Sequence, residues 1–117
     1  MAVNARTEIV TEDRLQFIAS RVVAAVQPEE IILFGSQANG TARPHSDIDL
    51  LVIMPDGAHT YGGADSVYRK ILDSLRDDYY PMDLLVYTRS KAEEWRGAKG
   101  HVLDDCFTAG RTLYVRP

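Results

Sequence analysis

The chain has 117 residues, 45% of them apolar and 26% charged, a size that fits one hydrophobic core and a composition that excludes disordered, collagen-like and disulfide-scaffold classes. No apolar run approaches the roughly 20 residues that span a bilayer, MAVNARTEIV lacks a signal-peptide pattern, and a single cysteine, Cys106, excludes an internal disulfide and suits a reducing cytoplasm. With 17 acids against 13 bases the net charge is −4, which argues against a protein that coats nucleic acid through a basic footprint.

Residues 11–27 read as an amphipathic helix: Thr11 is a candidate N-cap, Leu15, Ile18, Val22, Val23 and Val26 recur at helical spacing, and Pro28 marks the end. Ile31 to Phe34 is a short apolar run stopped by Gly35, the pattern of a buried strand. Residues 36–46 are polar and read as a loop with room for one helical turn. A second buried strand follows at Ile48 to Met54, closed by Pro55-Asp56-Gly57. After a connection at 59–63, a second amphipathic helix places Ala64, Val67, Tyr68, Ile71, Leu72 and Leu75 on one face.

Pro81 opens a third strand, Met82 to Tyr87. Ser90-Lys91-Ala92-Glu93 has capping-box spacing, which predicts a helix start at Ser90. Another helix is expected over 101–108 with Gly110 as its stop, and Thr112 to Val115 as a final edge strand. Cys106 shares an apolar helical face with Val102, Leu103 and Phe107 and is expected in the core. Trp95 either packs its helix down or serves a partner. Tyr79-Tyr80 is expected to close the sheet end, and Arg43 and His45 to be loop residues. Strands alternating with helices give an α/β fold in one domain, 1–117, and near-continuous apolar strands imply a sheet covered on both faces.

The second strand opens Ser46-Asp47-Ile48-Asp49-Leu50. Residues two apart in a strand share a face, so Asp47 and Asp49 present two carboxylates side by side while Ile48 points into the core. Such a pair repels itself unless a cation intervenes, and hard oxygen ligands of this kind suit Mg²⁺. Asp83, early in the third apolar strand, is poorly explained by solvation. If the second and third strands are neighbours, three carboxylates converge and can hold two metal ions about 3.5–4 Å apart, the geometry of in-line displacement at phosphorus. Gly35 permits a tight turn directly after the first strand, a helical turn there would form a phosphate seat, and the Ser36 hydroxyl adds a donor. These are the parts that phosphoryl-group transfer requires.

Gly35-Ser36, ten intervening residues and Asp47-x-Asp49 resemble the GS-x10-DxD signature of the DNA polymerase beta-like nucleotidyltransferase superfamily, and LFGSQANGTARPHSDIDLLVI resembles its minimal nucleotidyltransferase (MNT) branch. Four fixed residues at this spacing arise by chance in roughly three per thousand sequences of this length and composition. One departure is visible: Asn39 stands where the family often has arginine, and Arg43 lies in a different register. The resemblance implies a small mixed sheet of three to four strands flanked by helices. It also implies Mg²⁺-dependent transfer of a nucleotidyl group from a triphosphate such as ATP to an acceptor hydroxyl. By the same resemblance Asp47 and Asp49 bind metal, Asp83 completes the nucleophile-side metal site, and Gly35 and Ser36 hold the triphosphate. Small MNT proteins are antitoxins of HEPN-type toxins, and some transfer AMP to a tyrosine of the toxin; that role, in the cytoplasm, is the expectation here, with no direct nucleic-acid binding and no membrane. No segment of the 117 residues is read as an acceptor-gripping domain. The alternatives are a small-molecule acceptor and a non-catalytic module that neutralises its partner by contact.

Overall fold

In the computed structural model, which describes residues 10–40, 47–77 and 81–117, Thr11 opens the first helix, α1 (Glu12–Val26). Its backbone is extended and its hydroxyl accepts the Arg14 amide at 3.2 Å. The helix ends where Gln27 takes a left-handed conformation (φ 51°) and donates its amide to the Val23 carbonyl, one residue before Pro28. Leu15, Ile18, Ala19 and Val22 form its buried stripe.

The remaining elements alternate as expected: β1 (Glu30–Phe34), α2 (Ser36–Asn39), β2 (Ile48–Met54), α3 (Val67–Ser74), β3 (Met82–Thr88), α4 (Arg89–Trp95), α5 (Val102–Ala109) and β4 (Arg111–Val115). The four strands make one mixed sheet in the order β3-β2-β1-β4. β1 is antiparallel to both β2 and β4, whereas β2 and β3 run parallel, joined by the crossover that carries α3. This is the mixed α/β architecture, a four-stranded sheet flanked by helices, that the sequence resemblance implies.

Both sheet faces are covered, as the apolar strands require. Ile31 and Leu33 of β1 and Leu50, Val52 and Met54 of β2 pack with α1 and α3. The alternate residues Ile32, Leu51 and Ile53 pack with Ala92 of α4 and Leu103 and Cys106 of α5. Cys106 is thus core, as expected, and burial together with the Asp105 and Asp49 charges pushes its thiol up to about 12. No described helix is long and apolar enough to cross a membrane.

Three features differ from the sequence reading, each for a physical reason. α3 begins at Val67 rather than Ala64, because the Ser66 hydroxyl accepts the Arg69 amide at 3.2 Å and caps the helix there. The capping box expected at Ser90 does not form. α4 starts one residue earlier, and Asp56, from the turn after β2, accepts both the Ser90 amide (2.9 Å) and the Ser90 hydroxyl. Glu93 instead pairs with Arg96 at 2.7 Å and with Arg89 at 3.3 Å. Gly110 does stop α5, but with extended backbone rather than a left-handed cap. A Cβ there would stand 2.6 Å from Ile32 Cγ2 and overlap the Cys106 carbonyl, so glycine serves close packing of α5 against β1.

Trp95 resolves the other way from simple burial: it remains 41% exposed and stacks on His101, with ring centroids 4.1 Å apart and planes 4° from parallel. The readings for Tyr79, Tyr80, Arg43 and His45 lie outside the described residues.

Candidate active site

The sheet brings one set of strand ends together. β1 runs toward Phe34 and Gly35, while antiparallel β2 and its parallel neighbour β3 both begin at that end. Ile48 donates its amide to the Pro81 carbonyl at 3.0 Å, which ties the two strand starts in register. Asp49 is therefore directly opposite Asp83 on one side and opposite Phe34 on the other. Asp49 shares the face of Leu51 and Ile53, so its carboxylate lies on the side covered by α4 and α5.

Asp49 is half-buried and Asp83 is exposed. Burial, then the neighbouring Asp83 charge and a hydrogen bond with Asp83, then the charge of Asp47, push the Asp49 carboxyl up from 3.8 to about 6. Asp47, exposed one residue before β2, acts on Asp49 through that field. The structure thus pairs Asp49 with Asp83 and leaves Asp47 at the rim. Among the described residues no three His, Cys, Asp or Glu side chains are close enough to hold a metal together, so the three acids do not form a ready-made cage.

Gly35 stands against the same carboxylate. Its backbone has φ 72° and ψ −156°, a conformation suited to glycine, and a Cβ built on it would overlap an Asp49 carboxylate oxygen. Its carbonyl accepts the Ala38 and Asn39 amides at 3.1 and 3.2 Å, closing the single turn α2. Ser36, half-buried, is the first residue of that turn, where helix amides point outward along the axis. Gly35, Ser36, Asp49 and Asp83 therefore sit at one corner of the sheet, with Asp47 beside them. Two clefts open there. One, of about 370 Å³, includes Asp83, Tyr68, Met82 and Leu84; the other, of about 250 Å³, includes Gly35, Asn39, Asp105 and Ala109; Phe34 and Val102 line both. The sequence reading had treated Tyr68 and Val102 only as core-facing. The available signal for Phe34 was its place directly before Gly35.

Donor chemistry at this corner fits a hard divalent cation. Two carboxylates forced together offer oxygen ligands only, and a bound cation relieves the repulsion that protonation otherwise relieves. Because the folded Asp49 carboxyl is raised, its protonation contributes stability that is fully present below 3.8 and lost as pH rises through about 6. Asp83→Asn removes a large part of that repulsion. Without divalent ions, its urea midpoint is expected above that of the natural chain at pH 7.5, with the gain shrinking toward pH 4. Added Mg²⁺ should raise the midpoint of the natural chain more than that of the variant; equal responses would mean that the two carboxylates do not share a cation.

The overlap at Gly35 generates a second prediction. Gly35→Ala should destabilise the fold by about 1–3 kcal/mol, the range for inserted atoms without space. In an Asp49→Ala background the cost should fall, leaving the left-handed backbone penalty alone. Denaturant titration of the two single variants and the double variant measures this coupling; strict additivity would show that Asp49 does not occupy the space at Gly35.

Comparison with known proteins identifies the family and the fold. Residues 15–106 match the family described as "Nucleotidyltransferase domain". A crystal structure of a protein from Sulfolobus solfataricus described as a nucleotidyltransferase superposes with a TM-score of 0.53 at 19% identity, covering 87% of this chain and 78% of that one. A toxin–antitoxin crystal structure with AMP-PNP superposes with a TM-score of 0.54 at 23% identity, covering 86% of this chain and 73% of that one. At those identities the likeness is one of fold. No curated protein sequence gives a match. With the family match spanning most of the chain, the protein belongs to the nucleotidyltransferase domain family.

Proposed function

We propose that this chain transfers AMP from ATP, with Mg²⁺, to a hydroxyl of a partner protein, a tyrosine of a HEPN-type toxin, and is the antitoxin of that pair. The observation that carries the reading is the half-buried Asp49 carboxylate pressed against both Asp83 and Gly35. It unites the acids of the second and third strands with the turn of the first. Membership in the nucleotidyltransferase family supports the reaction class. The toxin–antitoxin structure with AMP-PNP supports the nucleotide and the partner as the direction to test.

In this reading Asp47, Asp49 and Asp83 hold the metal, two ions in all, and Gly35 and Ser36 seat the triphosphate. When bound, the metal neutralises the carboxylates and the polyphosphate and stabilises charge that builds up on the transferred group. The chain's own groups do the rest. Glycine at 35 lets the backbone approach the phosphates without a side chain in the way, and the Ser36 hydroxyl donates to a phosphate oxygen. The acceptor's phenolic oxygen forms a bond to the α-phosphorus. The bond from that phosphorus to the bridging oxygen of the β-phosphate breaks, and pyrophosphate leaves with the electron pair. Asp83, exposed at the mouth, receives the phenolic proton and passes it to water. A phenol has a pKa of about 10, within reach of such assistance.

Intact-mass spectrometry of the neighbouring gene's product, incubated with this protein, ATP and Mg²⁺, tests the whole reading. The product is expected to gain mass in AMP steps. The gain should vanish with chelator and with Asp47→Asn/Asp49→Asn, and should fall by about 10²–10⁴-fold with Asp83→Asn, the range for lost general-base help. Relief of toxicity by the double variant without any adduct would instead establish neutralisation by contact.

A further inference from the structure

Among the described residues the charged groups lining this corner are all acids, and one of them lies outside the proposed metal site. Asp49 stands against Gly35, Asp83 lines the larger cleft, and Asp105 lines the smaller cleft with Gly35 and Asn39. Neither cleft has a described lysine, arginine or histidine on its wall. A polyanion seated on the Gly35 turn therefore meets negative charge from two sources, the strand ends and α5.

α5 fixes where Asp105 stands. Val102, Asp105 and Ala109, at i, i+3 and i+7, line the smaller cleft from one helical face, while Leu103 and Cys106 hold the helix in the core. Asp104, its neighbour in the first turn, is engaged elsewhere: its carboxylate accepts the Gly97 amide at 2.9 Å. The Asp105 side chain is exposed and has no hydrogen bond or ion pair with another described residue. Its charge is felt at the same buried point as that of Asp49: burial, then Asp105, then Asp49 push the Cys106 thiol up.

From this arrangement we infer that Asp105 is an electrostatic selectivity residue: it makes the Gly35 cleft admit a triphosphate only as its complex with a divalent cation and turn away the bare polyanion. The inference rests on the transfer reading above and adds the residue that sets how strongly binding depends on metal. An ionised carboxylate only accepts hydrogen bonds, so it offers a phosphate oxygen nothing but repulsion. Within a cleft of about 250 Å³ a phosphate on the turn lies inside the Debye length of Asp105, about 8 Å at physiological salt, so that repulsion is only partly screened. A triphosphate carries roughly four negative charges, and one divalent cation offsets about half of them, so the penalty falls steeply on the complex and little of it remains to oppose binding. The competing role for Asp105 is as an acceptor for a ribose hydroxyl or as a further metal ligand. In that role its loss weakens binding, so the sign of one substitution separates the two.

The test is titration calorimetry of the full chain with AMP-PNP at low salt, once with saturating Mg²⁺ and once with chelator. Asp105→Asn is expected to tighten AMP-PNP in chelator by about threefold to tenfold and to change its affinity in Mg²⁺ by less than about twofold, so that the stimulation by Mg²⁺ shrinks. Where the natural chain binds too weakly in chelator to be measured, the variant is expected to bring binding into range. Raised salt should erase the difference, and Asp105→Glu, which keeps the charge, should behave as the natural chain. Asp104→Asn makes the same change in net charge on the same helix but away from the cleft, and should tighten binding in chelator less than Asp105→Asn does. An unchanged affinity in chelator for Asp105→Asn, or an equal gain from Asp104→Asn, overturns the inference. Weaker binding of Asp105→Asn in Mg²⁺ overturns it in favour of an acceptor or metal-ligand role. In each of these cases the transfer reading stands. Absence of AMP-PNP binding to the natural chain even with Mg²⁺ would remove that reading itself.

Discussion

One small volume is contested by two residues from different strands. The Asp49 carboxylate, on β2, fills the space that a side chain at position 35 would need, immediately after β1. The proposed site at the sheet corner depends on that exchange. Glycine at 35 permits the carboxylate to sit inward, partly shielded by α5, and gives the chain the backbone conformation that starts α2. Because β2 and β3 pair in parallel register, the same carboxylate also meets Asp83. The cost is electrostatic. Burial and the two neighbouring acids push the Asp49 carboxyl up to about 6, so a cation that counters its charge would relieve repulsion at neutral pH.

The rest of the molecule is arranged to hold that unfavourable corner. Ile48, next to Asp49, is fully buried on the opposite face with Leu50 and Val52, so β2 cannot slip without moving its apolar residues into water. On the other face, Leu103 and Cys106 anchor α5 over Ile32 and Leu51. At the far end of the strands, Arg89 bonds Glu29 at 2.9 Å and Glu30 at 3.1 Å, joining α4 to the start of β1. The acids are therefore presented by elements with deep cores, and the turn that faces them is a single helical turn with no fully buried residue. Carboxylates anchored by packed strands beside an open turn suit the proposed triphosphate site.

Much of this was legible in the residues because the signals were local. Thr11, the apolar spacing of α1, the glycine-terminated run at Phe34 and the in-out alternation around Ile48 each act within a few positions, and they recovered the elements and the opposite faces of Ile48 and Asp49. Asp83 was conspicuous as an acid in an apolar strand. What the residues did not disclose were distances through space. Strand order decided whether Asp49 would meet Asp83, and no local pattern encodes it. Asp56, distant in sequence, overrode the capping box at Ser90, and the packing of α5 against Ile32 gave Gly110 a reason other than a left-handed turn. The same limit applied to Tyr68: its helical spacing marked it as core, which it is, and only the fold makes it also line one cleft with Asp83.

In the proposed function the Asp49–Asp83 pair is a cation-binding centre that aligns a nucleotide on the Gly35 turn. Crystals of the full chain grown with Mn²⁺ and AMP-PNP, with anomalous diffraction recorded for manganese, test it most directly. The account predicts an anomalous peak within coordination distance of carboxylate oxygens of both Asp49 and Asp83, with phosphate density against Gly35 and Ser36. A nucleotide held elsewhere, or manganese that avoids both carboxylates, would contradict it.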